Sequence, residues 1–258
     1  MFWVLGRTLR QGLTGYGLLV SVGFALTPLF EQVMMSPPGT VDSSVSKYIS
    51  PFVISFSYVL PIIASWTSLQ AFLPELTERF TSLVALRDSL TRYMWAKYFS
   101  VSAFAILLFF STGLFAFWLS FFLLPALGIF EVSPQPTLPL DFLFGDLVES
   151  QPFTFGLVYS GWLALHAWIW SSICFACLLL VKNRFAALLT PMVFYFVSWL
   201  FMANTPFREA NPRDLWVLAS IPDPNIPTYI IGTAVEIVVA ATLTWAAIRQ
   251  FAKRGFAE

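Results

Sequence analysis

Six stretches of the chain are apolar over a length that suits a bilayer, and the polar positions collect between them. A helix that crosses the hydrocarbon core takes about 20 mostly apolar residues. Windows of this kind run near 13–30, 51–73, 98–124, 156–181, 185–203 and 228–248. The pattern predicts an all-α integral membrane protein, a single transmembrane domain over 1–258 with six spans. No repeat and no low-complexity linker divides it. Between the second and third windows, Leu76, Phe80, Leu83, Leu90 and Met94 recur at helical spacing, with Glu75, Glu78, Arg79, Ser82, Asp88 and Arg92 on the other side. This predicts an amphipathic elbow over 74–97, with Asp88 or Ser89 capping a helix that leads into the third span. Between the fifth and sixth windows, Asn211 can cap, Pro212 suits a first helical position, and Asp214 favours the positive helix end. Leu215, Trp216 and Leu218 then form a short apolar turn, stopped by Pro222 and Pro224. It is too short to cross a bilayer and reads as an interfacial or re-entrant helix.

Composition sharpens this reading. Of 258 residues, 58% are hydrophobic and 11% charged, against roughly 25% charged in soluble domains. With a mean hydropathy of +0.76, a cytosolic globular enzyme is excluded. The net charge is zero, yet the charges are unevenly spread. Arg7, Arg10, Arg79, Arg87, Arg92, Lys97, Lys182, Arg184, Arg249, Lys253 and Arg254 fall on one side of the predicted spans. Lys47, Arg208 and Arg213 fall on the other side, with most of the acids. Loop Lys and Arg face the cytoplasm, so both termini are predicted inside. Arg7 and Arg10 ahead of an apolar run resemble a signal peptide; we read the segment as a first helix, with 1–11 either interfacial or a frayed helix start. The surroundings implied are the lipid bilayer of a cell membrane, with no nucleic acid.

Few residues carry chemistry. Glu236 is the one acid inside a predicted span, where a charge costs at least about 2.5 kcal/mol and usually faces a partner in the bundle. His166, the chain's single histidine, falls at a similar depth in the fourth window. The two are therefore a candidate mid-membrane pair, either proton-sensitive and substrate-contacting or purely structural. Trp162, His166, Trp170 and Cys174 share one stripe at i+4 steps, which suits a pathway lining or helix packing. Cys174 and Cys177 form a CxxC in an apolar setting, with no second cysteine pair to relay electrons. Pro61 and Pro191 are expected to kink their helices. One histidine and two cysteines cannot make a conventional metal centre, and no nucleophile–base set or paired carboxylates can be read.

Two patches bring a family into view. The first is Tyr58-Val59-Leu60-Pro61-Ile62-Ile63, the charged run around Glu75, Glu78 and Arg79, and Arg87-Asp88-Ser89-Leu90-Thr91-Arg92-Tyr93-Met94-Trp95-Ala96-Lys97. The second is Lys182-Asn183-Arg184-Phe185-Ala186-Ala187-Leu188-Leu189-Thr190-Pro191. With the six-span topology, the chain resembles the ABC-2 type permeases, the transmembrane subunits of ABC exporters. The resemblance implies a permease dimer, of two copies or of this chain and a paralogue, joined to two cytosolic ATPases that carry ATP and Mg. It also implies coupling through the elbow, with Glu75, Glu78, Arg79, Arg87, Asp88 and Arg92 as its charged residues. The family's commoner Glu-Gly pairing is absent, since Arg79 follows Glu78. There is no Walker loop, so no nucleotide site and no ATPase activity are expected on this chain. Two other readings stay open: an intramembrane enzyme using His166 and Glu236 as acid and base, and a non-transporting scaffold or sensor.

Overall fold

A computed structural model describes residues 23, 26, 30, 34, 41–52, 60–68, 90–129, 131–133, 144–181, 183–202, 205, 215 and 226–254. Helices dominate. The exception is a two-residue parallel pairing of β1 (Val41–Asp42) with β2 (Glu131–Val132). The helices are α1 (Ser44–Pro51), α2 (residues 60–68), α3 (Leu90–Ala126), α4 (Gly145–Ser150), α5 (Pro152–Leu180), α6 (Arg184–Met202) and α7 (Ile226–Arg254). Four of them, α3, α5, α6 and α7, are long and apolar enough to cross a membrane. They coincide with the third to sixth windows, consistent with a multi-pass membrane-embedded protein. Most of the first window, most of the elbow and part of the second window lie outside the described residues.

α5 is the centre of the bundle. Its most apolar stretch is 78% buried, against 39%, 17% and 28% for α3, α6 and α7. α3 runs antiparallel to it at very close range. A Cβ on Gly113 would sit 2.7 Å from Ser160 Oγ, and one on Gly156 would sit 2.7 Å from the Phe117 ring. Further along, Tyr98 meets Ser172 (Oη to Oγ, 3.0 Å) and the Phe175 ring. Small residues at these positions let two backbones approach, which is how helices associate where lipid removes the hydrophobic drive between them. α2 also crosses α5. Ser68 Oγ donates to the Ser171 carbonyl at 2.8 Å and lies 2.7 Å from Ser171 Oγ, while Cys174 Sγ points at the Ser65 carbonyl. α6 packs on the same helix through Trp170 and Tyr195. α1 inserts Tyr48 among Phe52, Phe117, Phe155 and Tyr159, edge to face. Burial there pushes the Tyr48 hydroxyl pKa well above its ordinary value.

The outward positions are apolar too: Leu107 and Phe122 on α3, Val193 and Val197 on α6, Ile231 and Val235 on α7. In water this surface would be prohibitive; in hydrocarbon it is the expected exterior.

From Leu90, inside the elbow, the described chain is already helical, in keeping with a helix capped at Asp88 or Ser89 that leads into the third span. What departs from the sequence reading is which of these residues are buried. Leu90, Tyr93, Met94 and Lys97 share one face by their spacing and are all buried. Lys97 was expected in cytoplasmic water but is 0% exposed; Arg92, on the opposite face, is exposed. Near its other end α3 contains a π-helical turn, Leu119–Leu123. Pro191 stands within α6 without ending it.

Candidate functional site

α5 and α7 run parallel and in steady register. Tyr159 and Tyr229 lie near enough to interact electrostatically, His166 faces Glu236, and Thr244 Oγ1 donates to the Ser172 carbonyl at 3.3 Å. On α7 the inward residues Tyr229, Thr233, Glu236 and Ala240 recur at four- and three-residue steps, the spacing of one helix face. Tyr229, Thr233 and Ala240 are buried, and the Glu236 side chain keeps 12% exposure. His166 has none.

His166 Nε2 stands 3.5 Å from Glu236 Oε2, too far for a good hydrogen bond. The other ring nitrogen settles the tautomer. Nδ1 lies 3.1 Å from the Trp162 carbonyl, and a carbonyl only accepts, so Nδ1 carries a hydrogen. In the neutral ring Nε2 therefore offers a lone pair to Glu236. A carboxylate opposite that lone pair would repel it. The stable form holds one proton between the two groups, as a carboxylic acid donating to imidazole or as imidazolium beside carboxylate.

The seam around the pair is under-satisfied. Tyr159 Oη, His166 Nε2, Thr233 Oγ1 and both Glu236 carboxyl oxygens are buried without a hydrogen-bond partner. Buried polar groups are seldom left so, least of all at membrane depth. One end of the seam is closed by Leu215, which is 1% exposed. Trp162 Nε1 donates to its carbonyl at 2.8 Å. Its side chain lies against Gly232, where a Cβ would come within 2.8 Å of both leucine methyls. Trp162 precedes His166 by one helical turn, and Gly232 precedes Glu236 by one. Leu215 thus lies about one helical turn from the pair, on the side of Trp162 and Gly232.

The structure brings together Trp162, His166 and Glu236. Trp170 belongs elsewhere: 1% exposed, it packs on Phe194 and Tyr195 of α6. The four-residue stripe on α5 is therefore divided among neighbours, because α5 is surrounded and each step of the helix meets a different one. Of the elbow residues, Arg92 is described and exposed; Glu75, Glu78, Arg79, Arg87 and Asp88 lie outside the described residues. Sequence reasoning missed Tyr159, Tyr229, Thr233 and the docking of Leu215. A signal existed for most of them, since Tyr229, Thr233 and Glu236 are spaced as one face with Gly232 beside it.

Cys174 and Cys177 are free thiols, the first fully buried and the second partly exposed. A maleimide should add one label to the native protein, at Cys177, and a second only after denaturation; mass spectrometry of the intact chain checks this.

The chain matches no protein-family model, and it is significantly similar to no curated protein and no solved structure.

Proposed function

We propose that the chain is the transmembrane permease subunit of an ABC exporter. It forms a translocation pathway as a dimer, with a second copy or a paralogue, in a bacterial plasma membrane. Six spans, cytoplasmic termini and a coupling elbow over 74–97 belong to this reading, as do two separate ATPases that bind ATP and Mg. The chain itself is then no enzyme. The two ABC-2-like patches support the reading, and one geometric observation carries it. The end of the elbow, over 90–97, is helical and continuous with a helix that runs on through Ala126.

At the elbow end, Leu90, Tyr93 and Met94 pack in one cluster with Cys174, Phe175, Leu178 and Leu179 of α5, and with Ala187, Ala247 and Ile248 of α6 and α7. At mid-length the Gly113–Ser160 approach holds α3 against α5. A displacement of the elbow by a closing ATPase dimer would be carried along α3 to α5. α5 bears His166, on one wall of the polar seam. Intramembrane ionisable residues of this kind mark substrate and ion pathways in membrane proteins.

The test is purification of the tagged chain in mild detergent, with and without the double change Arg87→Glu, Arg92→Glu. A cytosolic ATPase should co-purify stoichiometrically with the wild type and be lost from the double variant. Retention by both forms would move the docking site away from these arginines. Absence of any ATPase under several mild conditions would overturn the proposal.

The His166–Glu236 contact favours one other reading, an intramembrane enzyme with this pair as acid and base. It predicts turnover by the purified chain without ATP, which the same preparation can be assayed for.

A further inference from the structure

The polar seam has a chemical preference. Once the proton shared by the pair has left, His166 Nε2 and both Glu236 oxygens accept, and the hydroxyls of Tyr159 and Thr233 can accept as well. A group that satisfies them must bring several donors. A carboxylate in hydrocarbon also calls for a positive partner. A primary ammonium supplies three N–H donors and one positive charge on a compact head. The aromatic walls suit a cation too, since Trp162 packs on His166 with ring centroids 5.1 Å apart and Tyr229 lines the same face.

Access points to an amphipathic molecule. Leu215 closes the seam at one end. His166 is sealed and the Glu236 carboxyl oxygens are buried, while the carbon stem of Glu236 leaves the side chain 12% exposed. Next to it on α7, Val235 is 57% exposed, on the apolar exterior. A head group reaching Glu236 would enter along that side of α7, with a hydrocarbon tail lying over Val235.

We propose that the His166–Glu236 seam binds the protonated primary amine of an amphipathic molecule, in exchange for the proton the pair otherwise holds. Before binding, one proton lies between imidazole and carboxyl and the pair is neutral. As the ammonium enters, that proton leaves for water, the carboxylate and Nε2 accept the ammonium hydrogens, and the site remains neutral overall. No covalent bond between heavy atoms changes. The exchange therefore brings no net charge into the bilayer interior. Around the pair, Tyr159 and Tyr229 share the seam, Tyr48 stands behind Tyr159 on α1, and Tyr195 stands against Trp170 on α6. Over the facing stretch 103–111, α3 carries only apolar and serine side chains. Among the described residues, then, the other titratable groups near the pair are phenols.

As a statement about cargo, the inference rests on the permease reading; as a statement about binding, it concerns this chain alone. The experiment titrates the full chain in lipid nanodiscs with decylamine, following tryptophan emission against empty nanodiscs. Decanol and decyltrimethylammonium serve as comparisons, one without charge and one without N–H donors. Decylamine is expected to saturate, with decanol at least about tenfold weaker and decyltrimethylammonium weaker than decylamine, because the charged N–H contacts are lost. Glu236→Gln, whose amide can still donate to His166, should lower decylamine affinity by about tenfold or more. Thr233→Val removes one acceptor but leaves the pair intact. It should weaken the amine several-fold and decides the matter if the Gln variant does not fold. Equal binding of decylamine and decanol would overturn the proposal, as would wild-type amine affinity in the folded variants. Neither result bears on whether an ATPase co-purifies. Amine binding without an ATPase would leave the site standing and remove only its role in cargo export.

Discussion

Leucine in place of Gly113 should force α3 away from α5 and deplete the folded, monodisperse protein in detergent extracts. The reason is local. A Cβ at this position would lie 2.7 Å from Ser160 Oγ, 2.9 Å from its Cβ and 3.0 Å from its Cα. The last of these is backbone and cannot turn aside. Even alanine requires the two helices to separate, at a cost of about 1–3 kcal/mol typical of overpacking. Leucine adds three more carbons to the same contact. Gly156→Leu should behave alike, because its Cβ would enter the Phe117 ring. Gly161 supplies the internal control: a Cβ there meets nothing within 4 Å, so Gly161→Ala should be neutral or gain up to about 1 kcal/mol from helix propensity. Size-exclusion profiles and melting temperatures of the variants check the contrast. If Gly113→Leu behaved as Gly161→Ala does, the close α3–α5 approach would be wrong.

The second large effect concerns the mid-membrane pair. Glu236→Leu leaves His166 Nε2 facing hydrocarbon without a donor, and His166→Leu leaves a carboxyl group with no basic neighbour among the described residues. Breaking a buried pair from one side costs about 3–5 kcal/mol in water-soluble proteins. Polar couplings measured inside membranes are nearer 1–2 kcal/mol at most. Each single change should therefore lower the melting temperature, and the double change should be more stable than the sum of the two predicts. A coupling of about 1–2 kcal/mol is expected from the double-mutant cycle. Strict additivity would mean that the two side chains do not interact, and the 3.5 Å contact would then have no energetic content.

The long apolar windows were legible because in lipid a helix must satisfy its own backbone, so hydropathy and length alone mark it. Hence the 156–181 window coincides with Pro152–Leu180, and 185–203 with Arg184–Met202. A helix leading from Asp88 or Ser89 into the third span was legible from its cap, but the burial of its inward face was not. Arg92 and Lys97 lower the hydropathy of 90–97, although the backbone there is as helical as the rest. Charge was read as exposure, which holds for Arg92 and fails for Lys97. A helix presents each residue to one neighbour, and Lys97 lies three and four residues from Met94 and Tyr93 on the inward face. Depth was legible for His166 and Glu236, since counting along each window gives a level in the bilayer. Azimuth was not, because α5 is apolar on nearly every side and has no polar face to orient it. That is why the divergence of Trp170 toward α6 was hidden, and why Leu215 could not be placed against Trp162 and Gly232. The contacts of Leu215, an indole hydrogen bond and a close glycine, leave no periodic trace.

The register of α5 beside α7 has an electrostatic consequence. Aligned peptide groups give each helix a macrodipole, equivalent to about half a charge at each end. α3 lies antiparallel to α5, so their opposite ends adjoin and attract. α5 and α7 point the same way, so like poles sit side by side at the helix ends and repel weakly across the screened membrane surface. The repulsion weakens the same interface that contains the unsatisfied polar atoms, while the other flank of α5 is held by tight backbone contact and by attraction. The face of α5 that carries the unsatisfied polar atoms is thus also the one on which the helix dipoles oppose contact.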